Sequence, residues 1–185
     1  MNRLWLLLAI GMLATCGAGR RLDLEAYFRH PPIGAPLSDR AALIDAYGEG
    51  CVRTEPNSPG APSIERHAYF DARNGNWIEA SVLDAAPDSK DLVGVMVTTV
   101  PLCSEKHPLR NSFSATGTYG VKLGDPKVKV IGALGEPLRV SKERLGDVTA
   151  VSVLEYYPEK SNPDFSIRFH VLNERVVAIS ILFTE

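Results

Sequence analysis

The chain has 185 residues, with 20 Lys and Arg against 22 Asp and Glu and a formal net charge of −2 at neutral pH. That balance leaves no basic footprint for nucleic acid. Apolar side chains make up 45% of the sequence, enough to build a packed core and too many for a disordered chain.

Met1-Asn-Arg3 supplies a positive start, and Leu4 to Ala14 is an apolar run well short of the ~20 residues a membrane-spanning helix needs. With the small residues that follow, this is the pattern of a secretory signal peptide. Two processing sites compete. Cleavage after Ala18 makes residues 1–18 the signal peptide. Leu13-Ala-Thr-Cys16 resembles a bacterial lipobox, which makes 1–15 a lipoprotein signal and Cys16 an acylated N-terminus held at the outer membrane. Residues 19–32 then read as a linker with a short helix over 22–29, stopped at His30-Pro-Pro32.

Residues 33–103 read as a first helix-plus-sheet unit. Ser38 is a candidate N-cap, Ala41, Ala42, Leu43, Ala46 and Tyr47 form a helical stripe, and Gly48 suits a left-handed end. Strands are expected over 51–54, 65–73, 77–84 and 92–100, with Asn74-Gly-Asn76 as the hairpin turn between the second and third. Residues 104–117 form a linker. Residues 118–185 read as a second unit, in which Asp125 caps a helix with Pro126 at its first position and Gly135 at its end. Its strands are expected over 138–141, 148–157, 165–171 and 175–183. Phe165, Ile167, Phe169 and Val171 alternate with Ser166, Arg168 and His170, giving one buried and one wet face.

The units echo one another. Ile44-Asp-Ala-Tyr-Gly-Glu-Gly50 matches Ile131-Gly-Ala-Leu-Gly-Glu-Pro137. The expected fold class is therefore α+β: two tandem units, each with short helices packed on one face of a three- to four-stranded antiparallel sheet. Gly120-Val-Lys-Leu-Gly-Asp-Pro126, the Leu-Gly-Glu-Pro ending at Pro137, and the last strand with Arg175-Val-Val-Ala-Ile-Ser-Ile181 resemble outer-membrane assembly lipoproteins of the SmpA/OmlA type. The pattern is also similar to the β-lactamase-inhibitor protein, which carries such a unit twice. The resemblance covers residues 118 to 183 and implies an envelope or secreted setting with protein binding through an open sheet face or loops. It carries no contact residues over.

Either processing site leaves Cys51 and Cys103 as the thiols of the folded part. An even pair in an exported protein reads as a disulfide, against two free buried cysteines. In a simple meander the first and fourth strands are not neighbours, so that bridge needs twist or loop geometry.

Chemistry is sparse. His30, His67, His107 and His170 have no metal-ligand spacing, and no Gly-x-Ser-x-Gly elbow or Cys-x-x-Cys pair occurs, so no metal, cofactor or catalytic residue is expected. The candidate contacts are sheet-face residues. His67 and Tyr69 are expected on one face with Trp77, Glu79 and Ser81, and Arg168 and His170 on the outer face of the second unit near Tyr156. Exposed Tyr, Trp and Arg on a rigid sheet compose a protein-binding hot spot; the competing reading packs Tyr69 and Trp77 between the units. The expected function is an exported, non-catalytic envelope protein that binds another protein. An inhibitor or immunity protein against a secreted enzyme or toxin is the pointed alternative, and a small-ligand carrier with a cleft between the units is another.

Overall fold

The structure is a computed structural model that describes residues 22–29, 40–56, 62–86, 89–157 and 165–183. The signal-peptide segment, Cys16, His30 and Ser38 lie outside the described residues. Helix α1 (Leu24–Arg29) and helix α2 (Arg40–Tyr47) precede four strands, β1 (Cys51–Glu55), β2 (Ser63–Asp71), β3 (Asn76–Ala86) and β4 (Ser89–Thr98). A small hairpin of β5 (Gly117–Thr118) and β6 (Val121–Lys122) leads into α3 (Lys127–Leu134). The chain ends in β7 (Arg139–Leu145), β8 (Val148–Tyr156), β9 (Phe165–Leu172) and β10 (Arg175–Phe183).

The tandem-unit expectation is corrected by the sheet. All eight long strands form one continuous antiparallel sheet in the order β1-β2-β3-β4-β10-β9-β8-β7. β4 and β10 pair directly from Ala178↔Thr98 to Leu182↔Gly94. The reason lies in their side chains. Leu92, Val95, Met96 and Val97 on β4, and Val176, Ala178, Ile179 and Ile181 on β10, are buried on both sides of the pleat. Two such strands left as sheet edges would expose unpaired backbone beside apolar surface; pairing them removes both edges at once.

The core is equally continuous. The registered row Tyr69, Ile78, Val97, Ile179, Phe169 and Leu154 runs across six strands with each side chain buried. Leu24 and Phe28 of α1, Leu43 and Tyr47 of α2, Phe113, and Val130 of α3 belong to the same cluster. The helices, at six and eight residues, are too short to be stable alone, and burial of these anchors at about 1.5–3 kcal/mol each holds them on this front face. Helix α3 starts differently from the expectation. Pro126 occupies its N-cap position, and the Asp125 carboxylate instead accepts from Lys122 N–H at 2.9 Å and from Lys129.

The β2–β3 turn decides which residues share a face. Asp71 pairs with Asn76, so the turn holds four residues, closed by Gly75 N–H donating to the Asp71 carbonyl and Arg73 N–H to its carboxylate. Phe70 therefore lies opposite Trp77, and Tyr69 opposite Ile78. The three-residue turn expected from the sequence has the opposite parity. A one-residue change of register exchanges the two faces of a strand, so Trp77, Glu79 and Ser81 face away from His67 and Tyr69.

After β4 the chain crosses the back of the sheet. Val100 and Leu102 pack in a back-face cluster with Ala68, Trp77, Leu145, Val151 and Ala178. Residues 107–109 then pair beside Phe70, on the β2 flank that β1 leaves open. On the way Cys103 forms a disulfide with Cys51, with Cα atoms 6.6 Å apart. The crossing strap, rather than neighbouring strands, resolves the geometric tension of that bridge.

Candidate functional site

Antiparallel register lines up a polar row across the back face: Ala68, Glu79, Met96, Ser180, Arg168 and Glu155 are successive partners from β2 to β8. A parallel row places Arg53 and Arg66 beside Ser81. The sheet curls enough that Arg53 of β1 and Arg144 near the end of β7 line one hollow with strap residues Pro101 to Ser104. Gly146, at φ 55° in the β7–β8 turn, sits so close to the Pro101 carbonyl that a Cβ there would collide with it. Beneath this closure lies a cleft of about 320 Å³.

Two ion clusters stand in the cleft. The Glu79 side chain is 2% exposed and accepts from Arg53 Nη2 at 2.6 Å and Arg66 Nη1 at 2.9 Å. Arg66 Nε also donates to Glu55 at 2.9 Å. Burial works against the Arg66 charge, but Glu79 and Glu55 outweigh it and raise its pKa. On the other side Arg168 donates from Nε and Nη2 to Glu155 Oε1 at 3.0 Å, with Glu143 3.6 Å from Nη1. Paired charges of this kind hold two guanidinium groups in fixed orientations.

Near Arg168, His170 Nε2 lies 3.2 Å from Ser180 Oγ, while Nδ1 is buried with no hydrogen-bond partner among the described residues. Burial first, then the positive charges of Arg168 and Arg66, push the His170 pKa down to about 4. The imidazole is neutral at neutral pH. A Ser–His contact invites comparison with a catalytic dyad, but a triad histidine has its Nδ1–H held by a carboxylate and a basicity matched to its task. Here Nδ1 has no such acceptor, and the neighbouring charges oppose protonation. No group of three or more His, Cys, Asp or Glu that could hold a metal occurs among the described residues.

The six sequence-derived contact residues divide between the faces. Arg168 and His170 stand together in the cleft. Trp77 is on the same back face, buried against Phe70 at 5.4 Å between ring centroids and clustered with strap residue Leu102. His67, Tyr69 and Tyr156 lie on the opposite, core face. His67 is buried with Nε2 3.4 Å from Glu65, Tyr69 packs 6.2 Å from Tyr47, and Tyr156 donates its hydroxyl to the Gly135 carbonyl at 3.2 Å. Burial, with a smaller contribution from Tyr47, raises the Tyr69 pKa. Of the two readings of these aromatics, exposed hot spot or packing between units, neither describes the rings, which fill space against strap, helices and one sheet.

Arg53, Arg66, Met96 and Ser180 had no place among the candidates. The alternation Arg53-Thr-Glu55 was available as a signal, but the partner strand that brings Glu79 under Arg53 depends on the turn parity.

Together, fold and site define a protein built on one large antiparallel sheet, whose helices cover one face and whose other face holds a strapped, charged cleft. No family model and no curated protein matches the chain. A solved structure that it is similar to is an extracellular protein containing an SCP domain from Bacillus anthracis, at 11% identity and a TM-score of 0.43, covering 82% of this chain. The match spans 44% of that protein.

Proposed function

We propose that this is an exported, non-catalytic binding protein that engages another protein through the strapped cleft on the back of its sheet. The observation that carries the reading is the cleft's construction: two oriented arginine clusters held by buried or half-buried glutamates around a neutral His170. Arginine fixed in this way is a favoured interface residue, because little side-chain freedom is lost on contact. Small-molecule sites are lined mainly by apolar groups, unlike this one. The direct β4–β10 pairing also fills the seam in which a carrier cleft was expected.

The Cys51–Cys103 disulfide supports an oxidising compartment, secreted or periplasmic. Acylation at Cys16 would anchor the protein to a membrane; palmitate labelling that survives Cys16→Ala, or never appears, removes the anchor.

Arg144 has a side chain 70% exposed at the cleft's rim. Captured from envelope and secreted fractions, the partner should bind Arg144→Glu at least roughly tenfold more weakly than wild type, while Lys129→Glu on α3 binds normally. Equal binding by Arg144→Glu, or no protein captured at all, overturns the reading.

A further inference from the structure

The two ends of the sheet are finished differently. At β1, Cys51 is tied to the strap, and Arg53 and Glu55 are already paired with Glu79 and Arg66. β7 ends the sheet with no strand on its outer side among the described residues. An edge of this kind presents backbone N–H and C=O groups as a template for a further strand. β7 also carries the core out to solvent. Val140 is registered with buried Leu154, at the end of the row that begins at Tyr69, yet is 62% exposed. Leu138, just before the strand, is 73% exposed. On the back face, Arg139 is exposed and enters no ion pair among the described residues. Glu143, on the same face and 39% exposed, meets Ser141 Oγ at 3.3 Å and Arg168 at 3.6 Å, both through Oε1.

These groups are complementary to themselves. We infer that β7 is the docking edge for a second copy of this chain, the two β7 strands pairing antiparallel about a two-fold axis at Ser141. A two-fold axis perpendicular to the sheet keeps front facing front, so it must fall on a residue. On Arg139, Lys142 or Glu143 it sets like charges directly opposite, which is destabilising. On Val140 it leaves Arg139 without an opposite charge and runs Glu143 against Pro137, which has no N–H for the ladder. On Ser141 it places Arg139 opposite Glu143 twice, once on each side of the axis. Each Lys142 stem then lies across the other copy's Val140 with its ammonium in water. A lysine on an edge ordinarily bars a foreign strand, whereas the matching strand accommodates it, and this favours a second copy over an arbitrary extended segment. Glu143 also lines the cleft, so pairing brings Arg139 of the second copy to the cleft's rim.

One short ladder is smaller than a standard interface, so a reversible dimer with a dissociation constant on the order of 10–100 μM is expected. Sedimentation equilibrium of the full mature chain over ~5–500 μM measures it. Arg139→Glu and Glu143→Arg should each weaken self-association at least roughly tenfold, because each sets like charges opposite. An equimolar mixture of the two should dimerise as wild type does, since the two altered residues then face one another and one original pair remains. If Glu143→Arg does not fold beside Arg168, cysteine cross-linking decides. Residues on the axis lie ~4.5–5.5 Å apart, within disulfide reach, whereas the two Lys142 are diagonal neighbours at ~7–8 Å. Under mild oxidation Ser141→Cys should therefore form covalent dimers and Lys142→Cys should not. Monomer at every concentration, a dimer that neither charge change weakens, or cross-linking through Lys142→Cys in place of Ser141→Cys overturns the self-pairing. A monomeric wild type whose captured partner is lost with Arg139→Glu overturns it too, and assigns the edge to a foreign strand.

Discussion

Arg66 donates from Nη1 to Oε1 of Glu79 at 2.9 Å across the β2–β3 pair, and this bond fixes one side of the cleft. Glu79 is 2% exposed whereas the Arg66 side chain is 29% exposed, so the carboxylate is the member that depends on its partners. Glu79→Ala strips a common acceptor from Arg66 and Arg53 together. A loss of about 2–3 kcal/mol is expected, below the value for a fully buried pair because both guanidinium groups can reach water. Glu55 is 51% exposed and, among the described residues, pairs with Arg66, so Glu55→Ala should cost less than about 1 kcal/mol. Urea midpoints at constant m separate the two, and equal losses would show that burial does not set the value of these pairs.

The disulfide joins the edge strand β1 to the strap, closing a sequence separation of 52 residues. On the chain-entropy account, releasing such a loop costs about 4 kcal/mol. A Cys51→Ser/Cys103→Ser variant should therefore unfold at distinctly lower urea than oxidised wild type and match the reduced wild type. If oxidised wild type and variant unfold together, the bridge contributes nothing to the folded state.

How far the fold could be read from the residues follows from where the information sits. Alternation in 165–171 and 175–183 located β9 and β10, because polar and apolar residues alternate with the pleat, but the face expected to be wet is covered: Ser166 and His170 are buried as well. The cysteine pairing was legible from count and compartment. The joining of β4 to β10 was not, since apolar residues on both faces show that a strand is central without naming its neighbour. Nor were the faces of β3. Asn74-Gly-Asn76 marks a turn, but Asp71 closing on Gly75 adds a fourth turn residue, and that residue moves Trp77, Glu79 and Ser81 to the other side. The candidate site was half visible for this reason. Arg168 and His170 needed only local alternation, whereas Arg53, Arg66 and Glu79 needed a register fixed by one backbone bond.

His170 provides a pH prediction. Its pKa in the folded protein is about 4, against an ordinary value of 6.5. Between those values the unfolded chain takes up a proton that the folded protein refuses, so stability rises with pH across the window. The contribution is complete above about pH 6.5 and is lost as pH falls toward 4, on the order of 3 kcal/mol in total. His170→Gln keeps a polar group for Ser180 and removes the titration. The stability difference between wild type and His170→Gln should shift against wild type on going from pH 7 to pH 4.5. A constant difference would mean that His170 titrates normally in the folded state.

Trp77 tests the face assignment itself. On the back face it is 3% exposed, stacked obliquely on Phe70 and clustered with Val100 and Leu102 of the strap. Phe70 in turn has the Lys106 ammonium 4.2 Å from its ring centre, so the aromatic pair is covered from the strap side as well. Truncating an indole in such a position removes its transfer free energy and leaves a cavity beneath a segment tethered by Cys103, which cannot readily collapse to fill it. Trp77→Ala should cost about 3–5 kcal/mol and increase protease cutting in the strap. A surface contact residue would behave in the opposite way, with binding lost and the unfolding midpoint unchanged. That outcome would return Trp77 to solvent and reverse the parity of the β2–β3 turn.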